Sequence, residues 1–292
     1  MENWLNLGLG IGLLLLATEF LVRQAIKMAA FFKISPLVIG ITVVALGTSL
    51  PELVVSTVAV LRGDVGLALG NIVGSNIVNI FLVLPMGILV GKLRIGTKKS
   101  QRNAWLVLLV SVMFVGLTLA NSALAGMLLL SGAVLVTIME YRWAILGRNH
   151  EDRMWLKNGH KVKEFGIYSW LLLVLALLAV MAGGIRAVIA IESISIISGI
   201  STMILGLTLS AVVTSLPELL TTILAEEEHQ EKVTLGNITG SNIYNLLLIG
   251  GVVAMGSRSL ILPWKNAGWL IGATLVFVAI IHFFSGKVVP KK

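Results

Sequence analysis

Residues 35–84 align with residues 201–250 without a gap, at a constant offset of 166, and 21 of the 50 paired positions are identical. The identities gather in two blocks. Thr48-Ser49-Leu50-Pro51-Glu52-Leu53 recurs as Thr214-Ser215-Leu216-Pro217-Glu218-Leu219. Leu69-Gly70-Asn71-Ile72, Gly74-Ser75-Asn76-Ile77 and Asn79 recur as Leu235-Gly236-Asn237-Ile238, Gly240-Ser241-Asn242-Ile243 and Asn245. Such a chain folds as two versions of one unit. How the two versions face each other depends on how many spans separate them.

Those spans are apolar. Of the 292 residues 57% are hydrophobic and only 12% are charged, with a mean hydropathy of +0.97. Soluble domains carry about a quarter charged residues. A bilayer crossing needs about 20 apolar residues. Nine stretches qualify, at roughly 5–31, 35–61, 67–91, 104–120, 124–146, 166–189, 199–225, 234–256 and 267–285. Their apolar runs are long and continuous, unlike the alternation of a membrane barrel. With the N-terminus outside, 18 of the 22 Lys and Arg fall in inside loops and four (Arg62, Arg186, Arg258, Lys265) outside. Met1–Leu7 has no basic stretch and no small-residue cleavage site, so the first run is expected to be a retained helix. Corresponding helices of the two copies are five spans apart, and an odd number inverts the second copy. The fold class is therefore all-α, a polytopic membrane protein with two inverted repeats. The first repeat is 1–146, a hydrophilic linker covers 147–165, and the second repeat is 166–292. Inverted repeats place a substrate site near the membrane midplane, where the copies meet.

The chain has no Cys, which removes disulfides, thiolate metal sites and Cys nucleophiles, and its four His leave little room for zinc. The basic residues lie between spans, so they orient the chain in a lipid bilayer and do not mark a nucleic-acid surface. No cofactor is implied.

Glu52 and Glu218 lie in mid-span at matching positions, with no Lys or Arg near them in their own helices. Glu140 and Glu192 are nearer span ends, and Glu19 has Arg23 four residues on. A buried carboxylate costs several kcal/mol unless paired, protonated or metal-bound, so a cation or a proton is the expected partner. Thr48 and Ser49 precede Glu52 by four and three residues, on one helical face, and Thr214 and Ser215 repeat this before Glu218. Pro51 and Pro217 lack the N–H that the carbonyls of Gly47 and Val213 would accept, and such loosened turns expose carbonyl oxygens. Asn71, Ser75 and Asn79 form one stripe, repeated by Asn237, Ser241 and Asn245. Asn71, Asn76, Asn237 and Asn242 could ligate or cross-link helices. Gly70 and Gly74, and Gly236 and Gly240, are small pairs that admit a close neighbour. The acidic run Glu226, Glu227, Glu228 and Glu231 reads as a solvated loop, with a cation-attracting mouth as the alternative.

The donor set is all oxygen, which suits hard cations such as Ca²⁺ and Na⁺. Two glutamates balance one Ca²⁺, two Na⁺ or two protons. Either load neutralises the site, and an empty charged site is costly to move, which is the physical basis of an exchanger.

Gly47–Glu52 with Gly70–Asn79, and Val213–Glu218 with Gly236–Asn245, resemble the α-repeats of the sodium/calcium exchanger family, prokaryotic type, over about residues 5–285. The resemblance implies a non-enzymatic antiporter in a prokaryotic cell membrane, exchanging Ca²⁺ for Na⁺ by alternating access. The first and sixth helices would slide past a fixed core. It implies Ca²⁺ held by Glu52 and Glu218 with the backbone carbonyls of Thr48 and Thr214. Flanking Na⁺ sites would draw on Ala45, Ser49 and Ser75 and on Ala211, Ser215 and Ser241, and Asn79 and Asn245 would complete the centre. Two departures stand out. Many members carry Asp at one of the positions of Asn79 and Asn245, so this centre has two carboxylates, nearer the charge count of H⁺/Ca²⁺ exchangers. The family usually has ten helices, whereas the ninth span here ends near Ser285 and only Gly286–Lys292 follows. H⁺ therefore stands beside Na⁺ as the counter-ion. A glutamate-ringed channel is a second class. An intramembrane hydrolase lacks a His or Lys base beside Ser49 or Ser215.

Overall fold

A computed structural model describes residues 2–31, 45–90, 98–120, 122–146, 167–227 and 231–284. Among them every regular element is helical. Eight segments are long and apolar enough to cross a bilayer: Asn3–Phe20, Val65–Val90, Lys98–Leu117, Ser122–Arg142, Tyr168–Ser198, Thr202–Glu227, Thr234–Gly256 and Trp264–Phe283. The remaining expected span, 35–61, lies partly outside the described residues. Its described part is two helices, Ala45–Thr48 and Leu50–Leu61, broken at Ser49. The 147–165 linker, the side chain of Arg23 and the residues after 284 lie outside the description.

The sixth span runs to Ser198, nine residues past the end expected from hydropathy. The residues read as an end are polar, but their polarity is absorbed locally. Ser193 and Ser198 donate to the carbonyls of Ile189 and Ile194 at 2.9 and 2.7 Å. Arg62 donates to both oxygens of Glu192, with its shortest contact at 2.7 Å. This pairing raises the pKa of the exposed Arg62 guanidinium. Gly199 ends the helix with φ +71°, a left-handed conformation that only glycine adopts readily, and its N–H reaches the Ser195 carbonyl at 2.9 Å.

The helix Glu2–Phe31 packs along Ile167–Ser198. A Cβ at Gly183 would stand 2.7 Å from the Gly10 carbonyl oxygen and from Leu14 N, so the two backbones approach without side chains between them. A second close approach joins the repeats. Val65–Val78 lies against Thr202–Ser210, where a Cβ at Gly74 would be 2.6 Å from Ala211 Cβ and one at Gly206 2.6 Å from the Leu67 carbonyl oxygen. Reciprocally, Glu231–Tyr244 packs on Ala45–Thr48. The second motif block of each copy thus lies against the broken helix of the other. Large apolar side chains such as Leu16, Leu109, Leu135 and Trp269 are exposed, whereas Asn71, Ser75, Asn79, Asn237, Ser241 and Asn245 are wholly buried. A polar interior under an apolar surface is what a bilayer demands.

Candidate cation site

The centre is built where the broken helices cross. Pro51 and Pro217 leave the helices interrupted at Ser49 and Ser215, whose dihedrals match closely (φ −82°, ψ 8° and φ −83°, ψ 5°). Each serine still bridges the interruption. Its N–H donates to the carbonyl of Ala45 or Ala211 at 3.2 and 3.1 Å, and its own carbonyl accepts from Leu53 or Leu219 at 3.0 and 3.1 Å. Glu52 and Glu218 begin the second half of each broken helix, both 0% exposed.

The serines do not serve the carboxylates of their own helices, as spacing alone would have it. Ser49 Oγ donates to Glu218 Oε1 and Ser215 Oγ to Glu52 Oε1, both at 3.1 Å. The crossing is reciprocal, so each carboxylate is oriented by the opposite repeat. The threonines cross likewise. Thr48 Oγ1 donates to Asn237 Oδ1 at 3.0 Å and lies 3.4 Å from Ser241 Oγ. Thr214 Oγ1 reaches Asn71 Oδ1 at 3.3 Å and lies 3.5 Å from Ser75 Oγ. Asn71 and Asn237 prove to be cross-links. Their Nδ2 atoms donate to the carbonyls of Glu52 and Glu218 at 3.4 and 3.3 Å, and Asn71 also takes the Ser210 hydroxyl at 2.7 Å. The carbonyls of Ala45 and Ala211 each accept an N–H and a threonine hydroxyl, so a cation there would share occupied oxygens.

Several buried oxygens have no hydrogen-bond partner: Glu52 Oε2, Glu218 Oε2, Asn76 Oδ1, Asn79 Oδ1 and Asn245 Oδ1. The Asn245 amide nitrogen is also without one, whereas Asn79 Nδ2 donates to Asn242 Oδ1 at 3.1 Å. Buried acceptors left unmade are expensive, and a hard cation is the group that satisfies acceptors only. Among the described residues no three of His, Cys, Asp and Glu come together, which leaves no transition-metal cluster to compete with this reading.

Two features here had no sequence signal. Asn79 and Asn245 each open a π-helical turn, Asn79–Val83 and Asn245–Ile249. The wider turn re-aims the last residue of each motif and loosens its carbonyls. A narrow cleft lies beside the centre, lined by Leu7, Ile11, Leu14, Val55, Ala187, Ile191, Leu209 and Val213 and reaching Ser210 and Thr214. One expectation is corrected: Glu226 is not a solvated loop residue, because it closes the Leu216–Glu227 helix and is 2% exposed. Glu140 is also buried, 4.0 Å from Arg102.

Known proteins resemble this chain in both sequence and overall fold. The sodium/calcium exchanger protein family matches residues 3–141 and 168–290. An uncharacterized membrane protein of Methanocaldococcus jannaschii is 34% identical over 281 residues, covering 96% of this chain and 88% of that protein. Sodium/calcium exchanger MaX1 of Methanosarcina acetivorans is 28% identical over 287 residues, covering 86% and 82%. The solved structure of the sodium-calcium exchanger NCX_Mj soaked with 2.5 mM Na⁺ and 0.1 mM Ca²⁺ superposes with a TM-score of 0.67 at 28% identity, over 100% of this chain and 93% of that one. With the family matching both halves and the fold shared across the whole chain, the chain belongs to the sodium/calcium exchanger family.

Proposed function

We propose that this cation/Ca²⁺ antiporter is driven by Na⁺, with Ca²⁺ held between Glu52 and Glu218 and Na⁺ beside the flanking serines. The observation that carries the reading is the reciprocal pair of 3.1 Å bonds from Ser49 and Ser215 to the opposite carboxylates, each of which keeps a second oxygen without a partner. A proton would need only one oxygen of each carboxylate. The surrounding hydroxyls of Thr48, Ser75, Thr214 and Ser241 supply the extra neutral oxygens that a dehydrated metal ion requires. Glu52, Glu218, Asn79 and Asn245 supply the central Ca²⁺ ligands, with the backbone carbonyls of Thr48 and Thr214. Ala45, Ser49 and Ser75, and Ala211, Ser215 and Ser241, supply the flanks.

Alternating access then needs one rigid part to move past another. The paired helices Glu2–Phe31 and Ile167–Ser198 contact each other through bare backbone at Gly10 and Gly183, so they travel as a unit. The repeat core, locked by Gly70, Gly74 and Gly206, stays fixed. Binding is neutralising for either load, so the full site crosses and the empty charged site does not.

H⁺ coupling is favoured by one observation. Asn79 and Asn245 leave only two carboxylates, which two protons also neutralise. Vesicles loaded with radiolabelled Ca²⁺ and given a Na⁺ gradient or a pH gradient, each alone, separate the two. Efflux driven by Na⁺ alone is expected, and efflux driven only by pH rejects Na⁺ coupling. Glu52→Gln or Glu218→Gln should abolish Ca²⁺ transport; near-normal uptake by either variant sinks the site assignment.

A further inference from the structure

The two copies repeat most of their cross-links and part company at one pair of amides. Ser49 and Ser215 cross to the opposite carboxylates at the same 3.1 Å. Asn71 and Asn237 each donate to the carbonyl of the glutamate in their own copy. The last two asparagines of each motif break this agreement. Asn79 Nδ2 donates across the repeats to Asn242 Oδ1 at 3.1 Å. The mirror bond, at the same offset of 166, would run from Asn245 Nδ2 to Asn76 Oδ1, and both of those buried atoms are without a hydrogen-bond partner.

The difference lies in what Asn76 and Asn242 do. Asn76 Nδ2 turns back to the carbonyl of Ile72, four residues earlier in its own helix, at 2.8 Å. Asn242 forgoes the equivalent bond to Ile238. Its Nδ2 has no partner, and its oxygen accepts from the opposite repeat instead. Asn76 is 1% exposed and Asn79, Asn242 and Asn245 are 0% exposed, so bulk water does not replace the missing bonds. An amide carries one oxygen and one NH₂ group, and tying down the nitrogen decides where the oxygen points. Asn242 holds the Asn79 nitrogen and thereby leaves Asn79 Oδ1, which has no hydrogen-bond partner, to face a cation. Asn245, with neither side-chain atom bonded, is given no orientation by the protein.

We infer that Asn242 is a positioning residue for Ca²⁺ binding: it does not ligate the ion but fixes the Asn79 amide with its oxygen toward the centre, whereas Asn245 is oriented only by the ion itself. A ligand already held in its bound orientation loses little freedom when the ion arrives, and one that must first be ordered loses more. The two copies therefore contribute unequally, the first through a preset amide and the second through an adaptable one. Asn76, occupied by its own helix, has no corresponding role toward Asn245. The inference rests on the reading of Asn79 as a Ca²⁺ ligand and is tested apart from it.

The test measures Ca²⁺ half-saturation and maximal rate with radiolabelled Ca²⁺ in vesicles reconstituted with the full chain, for Asn242→Ala, Asn242→Asp, Asn76→Ala, Asn79→Ala and the double variant Asn79→Ala/Asn242→Ala. Asn242→Ala should raise the Ca²⁺ half-saturation several-fold and change the maximal rate much less. In the Asn79→Ala background the same substitution should add no further rise, because the residue acts only through Asn79. Asn242→Asp keeps the accepting oxygen and gives up only the amide nitrogen that has no partner, so it should hold Ca²⁺ at least as well as Asn242→Ala and close to the parent. Asn76→Ala should shift the half-saturation less than Asn242→Ala does. Additive effects of Asn79→Ala and Asn242→Ala overturn the inference, as does an Asn76→Ala shift equal to that of Asn242→Ala. So does an Asn242→Asp weaker than Asn242→Ala, since that pattern makes Asn242 the donor and turns the Asn79 oxygen away from the ion. If Asn242→Ala does not fold, Asn242→Asp decides: a retained half-saturation supports the positioning and a several-fold rise overturns it. Failure of the central reading looks different, because Asn79→Ala would then leave the Ca²⁺ half-saturation unchanged.

Discussion

Substituting Gly74 by Ala tests the contact on which the crossed geometry depends. The new Cβ would stand 2.6 Å from both Ala211 Cβ and the Leu207 carbonyl oxygen, and 2.8 Å from Leu207 Cα. That is about 0.8 Å inside ordinary van der Waals contact, with backbone on the far side and no flexible side chain to yield. Overpacking of this kind costs about 1–3 kcal/mol. The Ala211–Thr214 segment must therefore shift by most of an ångström, taking with it the Thr214 hydroxyl, now 3.3 Å from Asn71 Oδ1, and Ser215 beside Glu52. Gly272→Ala is the internal control. It lies in the Trp264–Phe283 helix with nothing within 4 Å of its would-be Cβ. Its expected effect has the opposite sign, a gain of up to about 1 kcal/mol from helix propensity. Thermal unfolding of the detergent-purified variants, with Ca²⁺ uptake after reconstitution, reads both. Gly74→Ala should melt below the parent and lose most of its uptake, and Gly272→Ala should match or exceed the parent. If Gly74→Ala is as stable and active as Gly272→Ala, the backbone contact between the repeats does not set the site.

Other expectations follow from single contacts. Asp64 caps the Val65–Val78 helix through Leu67 N at 2.8 Å and takes the Thr202 hydroxyl at 2.9 Å, so Asp64→Ala should cost about 0.5–2 kcal/mol in the melt, and an unchanged melt refutes the tether. The stability effect of Ser49→Ala, about 1.5–3 kcal/mol for a hydroxyl lost from a carboxylate, should shrink to that of a neutral hydrogen bond in a Glu218→Gln background and persist in full in Glu52→Gln. The reverse pattern in that double-mutant cycle restores same-helix pairing. Asn245 has neither side-chain atom bonded at 0% exposure. Asn245→Asp should therefore destabilise the cation-free protein, gain more than the parent from added Ca²⁺, and change the Na⁺ or proton dependence of exchange. Identical cation dependence would show that this position does not tune the driver ion.

Much of this molecule was legible in one dimension, because the deciding facts are local. Twenty apolar residues in a row identify a span wherever they pack. A proline before an acid interrupts a helix wherever it lies, and Ser49 and Ser215 adopt the interruption as expected. A constant offset with an odd number of spans inverts the second copy. Hydropathy misplaced the end of the sixth span at 189 because it counts Glu192 and the serines as polar without knowing their partners, Arg62 and the helix's own carbonyls. The same blindness made Glu226 a loop residue.

Which oxygen serves which carboxylate was beyond the reach of the sequence. Spacing puts Ser49 three residues before Glu52, a sound argument for one helix, yet Ser49 bonds Glu218. The choice is made by how closely helices of different repeats approach. That approach is set where Gly74 and Gly206 let backbone meet backbone. The repeat therefore named Glu52 and Glu218, their neighbours and their kinship. The crossing of the two halves, a long-range consequence of packing that no local pattern records, turned two separate acids into one site.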